Sequence, residues 1–383
     1  MKPPIYMDYQ STTPVDPRVL EAMLPYFTEK FGNSASKQHI FGLEAEVAVE
    51  HARGQVAKLI GAKSDEIYFT SGATESNNLA ILGLMEILEG KENHLIASNI
   101  EHSSVLSICD VLARQKVSVQ LLKVDSKGIL DPDSLEQSMK EETRLVSVMM
   151  ANNEIGTLQA LSEMGKICKE SGVVFHTDAA QALGKISIDV EKMHIDLLSI
   201  SGHKNYAPKG VGALYVRSKN PNIHLRPQIY GGGHEKGLRS GTLNVPGIVA
   251  LGKACEISLL EMKKESEYLS NMRDHLQSKL LKGIPELRVN GDLENRLPHN
   301  LSVTIPELKS DLLMMNLKKK VALAAGSACT SLHPKVSHVL KAIGLSDTEA
   351  NQTLRFSLGR FTTVQEVDEV GQKVIEEVKK IRG

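Results

Sequence analysis

The chain has 383 residues, 41% of them apolar, and 45 Lys and Arg oppose 46 Asp and Glu for a formal net charge of −1. This length and composition predict a globular protein with ordinary hydrophobic cores, and the balanced charge gives no reason to expect direct nucleic-acid binding or attraction to a membrane surface. Because the N-terminal residues MKPPIYMDYQ hold no apolar signal segment and no run of about 18 apolar residues follows, we expect no membrane span and a cytoplasmic location.

Between residues 65 and 217, short runs rich in Val, Ile, Leu and Met alternate with longer amphipathic runs, which is typical of βαβ units on a parallel sheet. The predicted strands are EIYFT, HLIAS, VQLLKV, LVSVMMA, VVFHT, DLLSIS and GALYV. The predicted helices between them are ESNNLAILGLMEIL, SSVLSICDVLARQ and LSEMGKICKESG. A sheet of this kind binds ligands at the carboxyl ends of its strands.

From Pro246 to Leu281 the sequence predicts one long helix, after which the pattern changes. The alternating strands LRVNGD, HNLSVTIP and TLRFSLG are separated by helices that include KSDLLMMNLKKK and VQEVDEVGQKVIEEVKKI. We therefore predict an α/β fold with two domains. The large domain (15–260) would hold a mostly parallel seven-stranded sheet flanked by helices, and residues 1–14 and 261–383 would form a smaller α+β domain.

Polar residues follow several predicted strands of the large domain. The segment SGATESNN (71–78) lies between a strand and a helix, where backbone N–H groups and the helix dipole favour a phosphate, although an ordinary helix cap is the alternative. The other strand ends supply His102 in IEHSSV, Asn152, Asn153 and Glu154 in ANNEIGT, Asp178 and Gln181 in HTDAAQALG, and Ser201, His203 and Lys204 in SISGHKNYAPKGVG. Each cluster alone is weak evidence, but their occurrence together predicts one shared site.

A lysine and an aspartate beside a phosphate cradle indicate a specific cofactor chemistry. A lysine amine can hold an aldehyde cofactor as a Schiff base. An aspartate can keep a pyridine nitrogen protonated, so that the ring accepts electrons. Pyridoxal 5′-phosphate (PLP) needs both groups, and we expect Lys204 and Asp178 to supply them, with His102 stacking on the ring or moving a proton.

Four cysteines, at positions 109, 168, 255 and 329, are widely spaced and form no C-x-x-C pair, which argues against a disulfide framework or a structural zinc site. The first three lie in apolar helical patterns typical of a core. Cys329 instead lies among small residues in AAGSACTSLHP, which predicts a loop where the thiol is accessible. Because the thiolate is the reactive form, Cys329 is the candidate nucleophile if a substrate is held near it.

The chain closely resembles the cysteine desulfurases of the NifS and IscS type, which are class V aminotransferase relatives on the fold type I scaffold of PLP-dependent transferases. The motifs that carry the resemblance run nearly end to end: MDYQSTTPVDPRV, FGNSASKQH, TSGATESNN, IEH, ANNEIGT, HTDAAQ, SGHKNYAPKGVGALYV, GGGHEKGLRSGTLN, GSACTS and LRFSLGRFTT. Two departures are Ala207, where the family usually has glycine, and Ala324 and Ala325, where it usually has serines.

The resemblance implies the roles of the cofactor-binding residues. Lys204 would hold PLP covalently, Asp178 would pair with the pyridine nitrogen, and His102 would lie over the ring. The remaining contacts would be Gln181 to the ring hydroxyl, Ala73, Thr74, Ser201 and His203 to the phosphate, and Thr242 to the phosphate of the second subunit in a homodimer.

The resemblance also implies how L-cysteine is bound and converted. Asn153 would lie near the ring and the substrate, and Asn33 and Arg355 would hold the substrate carboxylate, a group that a guanidinium binds in a bidentate manner. The Cys329 thiolate would attack the substrate sulfur, leaving alanine and a persulfide on the protein. The sulfur would pass to an acceptor such as an iron–sulfur scaffold of the IscU or NifU type or a tRNA-thiolation relay, and the Cys329 persulfide is a candidate iron–sulfur ligand.

Three alternatives stay open at this point. An ordinary aminotransferase on the same fold would not require Cys329, and a selenocysteine lyase would differ in its substrate. A catalytically silent protein that only docks sulfur acceptors would not require Lys204, Asp178 and His102. A comparison of turnover on cysteine and selenocysteine, together with the absorbance of the cofactor, would separate these readings.

Overall fold

A computed structural model of the chain describes residues 3–87, 93–325 and 336–383, so that Cys329 lies outside the described residues. The strands are β1 (Ile5–Tyr6), β2 (Ile67–Thr70), β3 (His94–Ser98), β4 (Ser118–Leu122), β5 (Thr143–Ser147), β6 (Val174–Asp178), β7 (Leu197–Ser201), β8 (Gly212–Val216), β9 (Arg288–Val289), β10 (Asn300–Thr304), β11 (Val321–Ala322), β12 (Ala324–Ala325) and β13 (Thr353–Ser357). The helices are α1 (Pro17–Met23), α2 (Pro25–Thr28), α3 (Ile40–Ile60), α4 (Ala73–Ile87), α5 (Ser103–Arg114), α6 (Pro132–Gln137), α7 (Leu161–Glu170), α8 (Val245–Gly283), α9 (Ser310–Leu317), α10 (His338–Ala342), α11 (Asp347–Ala350) and α12 (Val364–Arg382).

Seven strands form the large sheet in the order β2-β8-β7-β6-β5-β3-β4. The strand β8 runs antiparallel to both of its neighbours, and the other neighbouring pairs are parallel. Strands β3, β6 and β7 are buried along their whole length, as expected for a sheet covered on both faces. The predicted α/β fold with a mostly parallel seven-stranded sheet is confirmed.

The helices cover the sheet through narrow apolar faces. In α5 the residues Val105, Ile108, Cys109 and Leu112 are buried and the remaining side chains are more exposed. This is the spacing of an amphipathic helix, and each fully buried large apolar side chain contributes about 1.5–3 kcal/mol. His102 directly precedes the helix, and its side chain accepts a hydrogen bond from the backbone of Ser104, so a residue of the predicted site also caps the helix.

A smaller antiparallel sheet, in the order β12-β13-β10-β9, packs with α9 and α12 around a second core. Apart from Met7, the buried residues of this core all come from positions 269–378. The helix α8 has 39 residues and runs without a break through the predicted domain boundary at residue 260. The domain bounds 15–260 and 1–14 with 261–383 therefore stay a prediction, and the long helix predicted as the joint between the domains is present.

The sequence pattern missed the helix α3, which packs along α8. Its buried face holds Ala45, Val49, Ala52 and Val56, and a Cβ on Gly252 of α8 would lie 2.6 Å from the Ala52 Cα. The first two turns of α3 also expose large apolar side chains: Ile40, Phe41, Leu43 and Val47. Apolar residues on two faces hide the helical period, which explains the omission. None of the helices within the described ranges is both long and apolar enough to cross a membrane.

Candidate active site

The carboxyl ends of the large sheet surround a cavity of about 420 Å³. Nine residues of the predicted site line this cavity: Ala73, Thr74, His102, Asn153, Asp178, Gln181, Ser201, His203 and Lys204. They come from the last residues of β6 and β7 and from the segments that follow β2, β3, β5, β6 and β7. The structure thus brings together residues that are up to 131 positions apart in the sequence, from Ala73 to Lys204.

Lys204 lies in a short turn after β7, and its Nζ donates to the backbone oxygen of Gln10 at 2.5 Å. Burial, reinforced by the charge of Arg355, lowers the pKa of Lys204 from the usual 10.5 to about 8. Asp178 and Asp8 partly oppose this shift. A substantial fraction of the amine is therefore neutral near physiological pH, the form that attacks a carbonyl carbon.

Asp178 ends β6 and belongs to a chain of hydrogen bonds that reaches His102. The Asp178 carboxylate accepts from Asn77 Nδ2 at 2.8 Å and from the Ala180 backbone at 2.8 Å. Asn77 Nδ2 also donates to Ser104 Oγ at 2.9 Å, and Ser104 Oγ lies 2.8 Å from His102 Nδ1. Because the Ser104 N–H donates to His102 Nδ1, the neutral imidazole carries its proton on Nε2.

The imidazole of His102 is exposed toward the cavity and is capable of holding or releasing a proton there. Desolvation by the surrounding protein lowers the pKa of His102, while the Asp178 carboxylate opposes this effect and Lys204 adds to it. The neutral ring is therefore favoured.

The helix α4 begins at Ala73, at the edge of the cavity, so its N-terminal backbone groups and its dipole favour an anion there. The turn before it is formed by Gly72, which adopts φ +151°. Gly212 of β8 permits this turn to pack on the sheet, since a Cβ at Gly212 would lie 2.6 Å from the Gly72 Cα. This backbone arrangement fits the predicted phosphate cradle.

Two further residues near Lys204 in the sequence, Ser201 and His203, line the cavity and are expected to contact the phosphate. Ser201 is the last residue of β7 and is buried. His203 Nδ1 lies 3.2 Å from Thr12 Oγ1, and burial, with smaller effects from Lys204 and Lys209, lowers the pKa of His203 to about 4. A neutral His203 can donate one hydrogen bond to a phosphate oxygen without a charge of its own.

Ala207 occupies the position in the lysine segment where the related sequences usually have glycine. It is buried against Val19, Ala250 and Ala254, and it is absent from the residues with left-handed φ, whereas its neighbour Tyr206 adopts φ 60°. Alanine is therefore accommodated without strain at this position.

The turn after β5 connects the cavity to the small domain. Asn152 Oδ1 accepts from the backbone of Glu154 at 2.8 Å, and the Asn153 backbone oxygen accepts from Arg355 Nη1 at 2.8 Å. Glu154 is buried and accepts from Ser337 Oγ at 2.5 Å, and burial raises its pKa to about 7. Residues of this turn thus contact β13 and the start of α10.

Arg355 does not line the cavity, but it lies close enough for its charge to act on Lys204. Its guanidinium is nearly fully buried and pairs with Asp8 Oδ1 at 2.8 Å. The Nε of Arg355 is buried and has no hydrogen-bond partner among the described residues. A buried unpaired N–H is costly, so this donor is suited to an additional acceptor such as a carboxylate.

Asn33 and Thr242 also lie outside the cavity lining, and both are exposed. The Asn33 side chain accepts from the Ala35 backbone at 3.0 Å. Thr242 precedes α8, on the outside of the chain. Their expected roles stay predictions, and an exposed Thr242 is compatible with its expected action in a second subunit.

The cysteines described by the structure are unsuited to nucleophilic attack. Cys109, Cys168 and Cys255 are buried. Burial raises the pKa of the Cys109 and Cys255 thiols to about 12 and that of Cys168 further, so little thiolate is present near pH 7. This matches the expectation that these three are core residues and leaves Cys329, outside the described residues, as the candidate nucleophile.

Sequence reasoning missed several residues that orient the site. Asn77 and Ser104 link Asp178 to His102, Gln10 accepts from Lys204 and from Gln181 Nε2 at 3.1 Å, and Asp8 pairs with Arg355. Asn77 lies in SGATESNN, one turn into α4, and the motif MDYQ holds both Asp8 and Gln10. The motifs contained these residues, but only the fold reveals their partners.

The residues of the cavity fit PLP on chemical grounds. An amine with a lowered pKa, a buried carboxylate, a neutral imidazole and a helix N-terminus all face one space of about 420 Å³. Asn77 Oδ1 and Gln10 Nε2, beside this cavity, are buried polar atoms without partners among the described residues. The donors and acceptors present are those that an aldehyde, a pyridine ring and a phosphate require.

Comparison with known proteins agrees with this geometry. The family described as Aminotransferase class-V matches residues 5–370. A cysteine desulfurase IscS from Anaeromyxobacter sp. (strain Fw109-5) is 52% identical over 382 residues, covering 100% of this chain and 94% of the relative. A cysteine desulfurase IscS from Rickettsia rickettsii (strain Iowa) is 50% identical over 379 residues, covering 99% of this chain and 92% of the relative. A solved structure described as a NifS-like protein superposes with a TM-score of 0.91 at 37% identity, covering 98% of this chain and 99% of that one.

Proposed function

Because this chain belongs to the class-V aminotransferase family of PLP-dependent enzymes, and to the cysteine desulfurases within it, we propose that it converts L-cysteine to L-alanine and transfers the sulfur to Cys329. The observation that carries the proposal is the convergence of Lys204 and Asp178 on one cavity. The test is to incubate the purified protein with L-cysteine and to quantify L-alanine and the keto acid. Alanine as the main product supports desulfuration, whereas the keto acid that corresponds to cysteine would indicate transamination.

The residues that would hold the cofactor are those that line the cavity. Lys204 would hold PLP covalently and Asp178 would pair with the pyridine nitrogen, while Gln181 would contact the ring hydroxyl. The N-terminus of α4 at Ala73 and Thr74, together with Ser201 and His203, would hold the phosphate, and His102 and Asn153 would lie near the ring. When bound, PLP supplies an electron sink for the electron pair released at the substrate Cα.

The side chains around this position divide the remaining tasks. The Lys204 amine, with its pKa lowered to about 8, is suited to take the proton from the substrate Cα and to return it. Arg355 would hold the substrate carboxylate with its unpartnered Nε, while Asp8 and the Asn153 carbonyl fix the guanidinium in place. Asn33 would be a second carboxylate contact.

The attachment of PLP to the protein is expected to depend on the ionisation of Lys204. Only the neutral amine attacks the aldehyde, and the folded-state pKa of about 8 lies below the usual 10.5. The rate should therefore rise as pH increases through about 8 and then level off. Stopped-flow absorbance of cofactor-free protein mixed with PLP between pH 6 and 10 measures this, and a rate that still climbs steeply between pH 9 and 10 would contradict the lowered pKa.

Replacing Asp178 by asparagine is expected to lower the rate of alanine formation about 10²–10³-fold, the effect of removing one preorganised electrostatic partner of the reacting group. Asp178 accepts from Asn77 and from Ala180 through different oxygens, and the single asparagine oxygen keeps one of these two hydrogen bonds, so the fold should persist. Measurement of kcat, with the absorbance of bound PLP as a loading check, tests this. The variant Asp189→Asn, at an exposed ion pair, should retain wild-type kcat, and equal kcat in both variants would refute the role.

The sulfur acceptor is proposed to be a scaffold protein of the IscU or NifU type, with tRNA thiolation as a further route. The support is the name shared by the relatives, cysteine desulfurase IscS, at about half identity over nearly the full chain. The Cys329 persulfide would be the donor in each case and a candidate ligand of a shared iron–sulfur cluster. A cytoplasmic location stays a prediction from the sequence.

A homodimer is proposed as the working form. Large apolar side chains are exposed between residues 20 and 47: Leu20, Leu24, Phe27, Phe31, Phe41 and Val47. Exposed apolar surface of this kind marks interaction sites, and Thr242 lies outside the cavity of its own chain. A second copy of the chain would cover the apolar residues and receive Thr242 at its phosphate cradle. Sedimentation of the purified protein as a monomer at micromolar concentration would refute this.

A further inference from the structure

The segment 235–242, which leads to Thr242, begins with an unusual backbone conformation. Two consecutive residues other than glycine adopt left-handed φ angles, 49° at Glu235 and 57° at Lys236. Such residues are uncommon and cost free energy, so they persist where surrounding contacts determine the conformation. Contacts with other parts of the chain therefore hold the segment in this conformation.

The first anchor is the Glu235 carboxylate, whose side chain is almost fully buried. It accepts from Arg53 Nη1 and Nη2, each at 2.8 Å, and from the Phe69 backbone at 2.7 Å. The Arg53 guanidinium also lies 4.7 Å from the centroid of the Phe69 ring. A bidentate pair of this geometry is both strong and directional, and it fastens the segment to α3 and β2.

The second anchor is Arg239, which reaches the start of α4. Its Nε donates to Glu75 Oε1 at 2.8 Å and its Nη2 to Glu75 Oε2 at 3.3 Å. Glu75 also accepts from the Ser71 backbone at 2.8 Å and lines the cavity. The far end of the segment is therefore fastened to the proposed phosphate cradle of its own chain.

Thr242 lies three residues after Arg239 and is exposed. A groove of about 640 Å³ is lined by residues from the ranges 34–53, 64–68 and 233–243. Its walls thus include Glu235 and Lys236 of the segment and part of α3, the helix that also carries the exposed side chains of Phe41 and Val47. The exposed Thr242 directly precedes Leu243, which lines this groove.

We propose that the ion pairs Arg53–Glu235 and Glu75–Arg239 clamp residues 235–242 so that Thr242 is positioned for the cofactor phosphate of the partner subunit. Arg53 and Glu235 are then positioning residues for a site in the other chain. This inference rests on the proposed homodimer and on the proposed contact of Thr242 with the partner. It makes the two PLP sites of the dimer structurally coupled, because Glu75 belongs to the cradle of one subunit while Thr242 serves the other.

Mixed dimers of two differently tagged chains test whether the clamp in one chain affects PLP binding in the other chain. The acceptor chain keeps Lys204, and the donor chain carries Lys204→Ala, so that PLP is held covalently in the acceptor chain alone. Cofactor-free mixed dimers are titrated with PLP, treated with borohydride and analysed by intact mass, which reports the occupancy of Lys204 in the acceptor chain. Glu235→Gln is then placed on either chain.

If the clamp acts as proposed, a substitution in the donor chain changes PLP binding in the acceptor chain. Glu235→Gln on the donor chain should weaken PLP binding to the acceptor chain roughly 10-fold, the scale of one lost hydrogen bond to a charged group, and the same change on the acceptor chain should have little effect. Thr242→Ala on the donor chain should reproduce the loss. Glu50→Gln on the donor chain is the matched control, because Glu50 is the more exposed carboxylate bound to Arg53 and pairs with its Nε at 3.0 Å.

Two results would overturn the inference in distinguishable ways. If Thr242→Ala on the donor chain weakens binding but Glu235→Gln does not, or acts only on the acceptor chain, the clamp is wrong while the dimer contact stands. If Thr242→Ala on the donor chain leaves PLP binding unchanged, the contact with the partner is itself absent, and the inference fails together with that part of the proposed function.

Discussion

Replacing Lys204 by alanine is expected to remove covalent attachment of PLP and to reduce alanine formation at least about 10²–10⁴-fold, the contribution of one positioned proton-transfer group. Lys204 is the lysine whose Nζ lies in the cavity beside Gln10, near Asp178 and Arg355. The variant loses both the amine that would hold the cofactor and the group that would move the Cα proton. Absorbance after borohydride treatment and product analysis measure the two losses separately.

The variant Lys204→Arg is the matched comparison, because arginine keeps a positive charge but does not deprotonate near neutral pH and forms no Schiff base. It should be as inactive as Lys204→Ala, although a positive charge persists beside Asp178. Activity of Lys204→Arg near the wild-type level would mean that the charge, and not the amine, is what matters at this position.

Replacing Cys329 by serine is expected to abolish persulfide formation and to reduce alanine release from L-cysteine by a similar or larger factor. A serine hydroxyl forms no persulfide and is a far weaker nucleophile at neutral pH than a thiol. Binding of L-cysteine to the cofactor should persist, because the residues that would hold PLP and the substrate are unchanged. The absorbance change on adding L-cysteine should therefore be retained while alanine is not released.

The control for this result is Cys109→Ala. Cys109 is buried in α5, and its raised pKa of about 12 leaves little thiolate near pH 7. This variant should keep its persulfide on Cys329 and its turnover. If Cys329→Ser released alanine at the wild-type rate, the thiol would be incidental and the assignment of the nucleophile would be wrong.

Local patterns were sufficient to predict the elements that carry the site. Strands such as HLIAS at 94–98 and GALYV at 212–216 match the observed β3 and β8 residue for residue, because each is a short apolar run between polar turns. The residues at the strand ends were expected to converge, and nine residues of the predicted site line one cavity. Because parallel strands end at a common edge of the sheet, residues that are distant in the sequence could be predicted to lie in one site.

The parts that escaped prediction depend on contacts between distant residues. The partner of Arg355 is Asp8, 347 positions away, and the partner of Glu235 is Arg53, 182 positions away. No local pattern encodes such pairs. The helix α3 escaped for another reason, since Phe41 and Val47 are exposed and add a second apolar face that hides the helical period.

Mass spectrometry of the protein after exposure to L-cysteine shows whether the substrate sulfur reaches Cys329. The purified protein would be incubated briefly with L-cysteine, its absorption spectrum recorded, and its thiols trapped and located by peptide mass. We expect a cofactor band and one additional sulfur on Cys329, with none on Cys109, Cys168 or Cys255. A cofactor band with no sulfur on Cys329 would contradict it and would favour transamination instead.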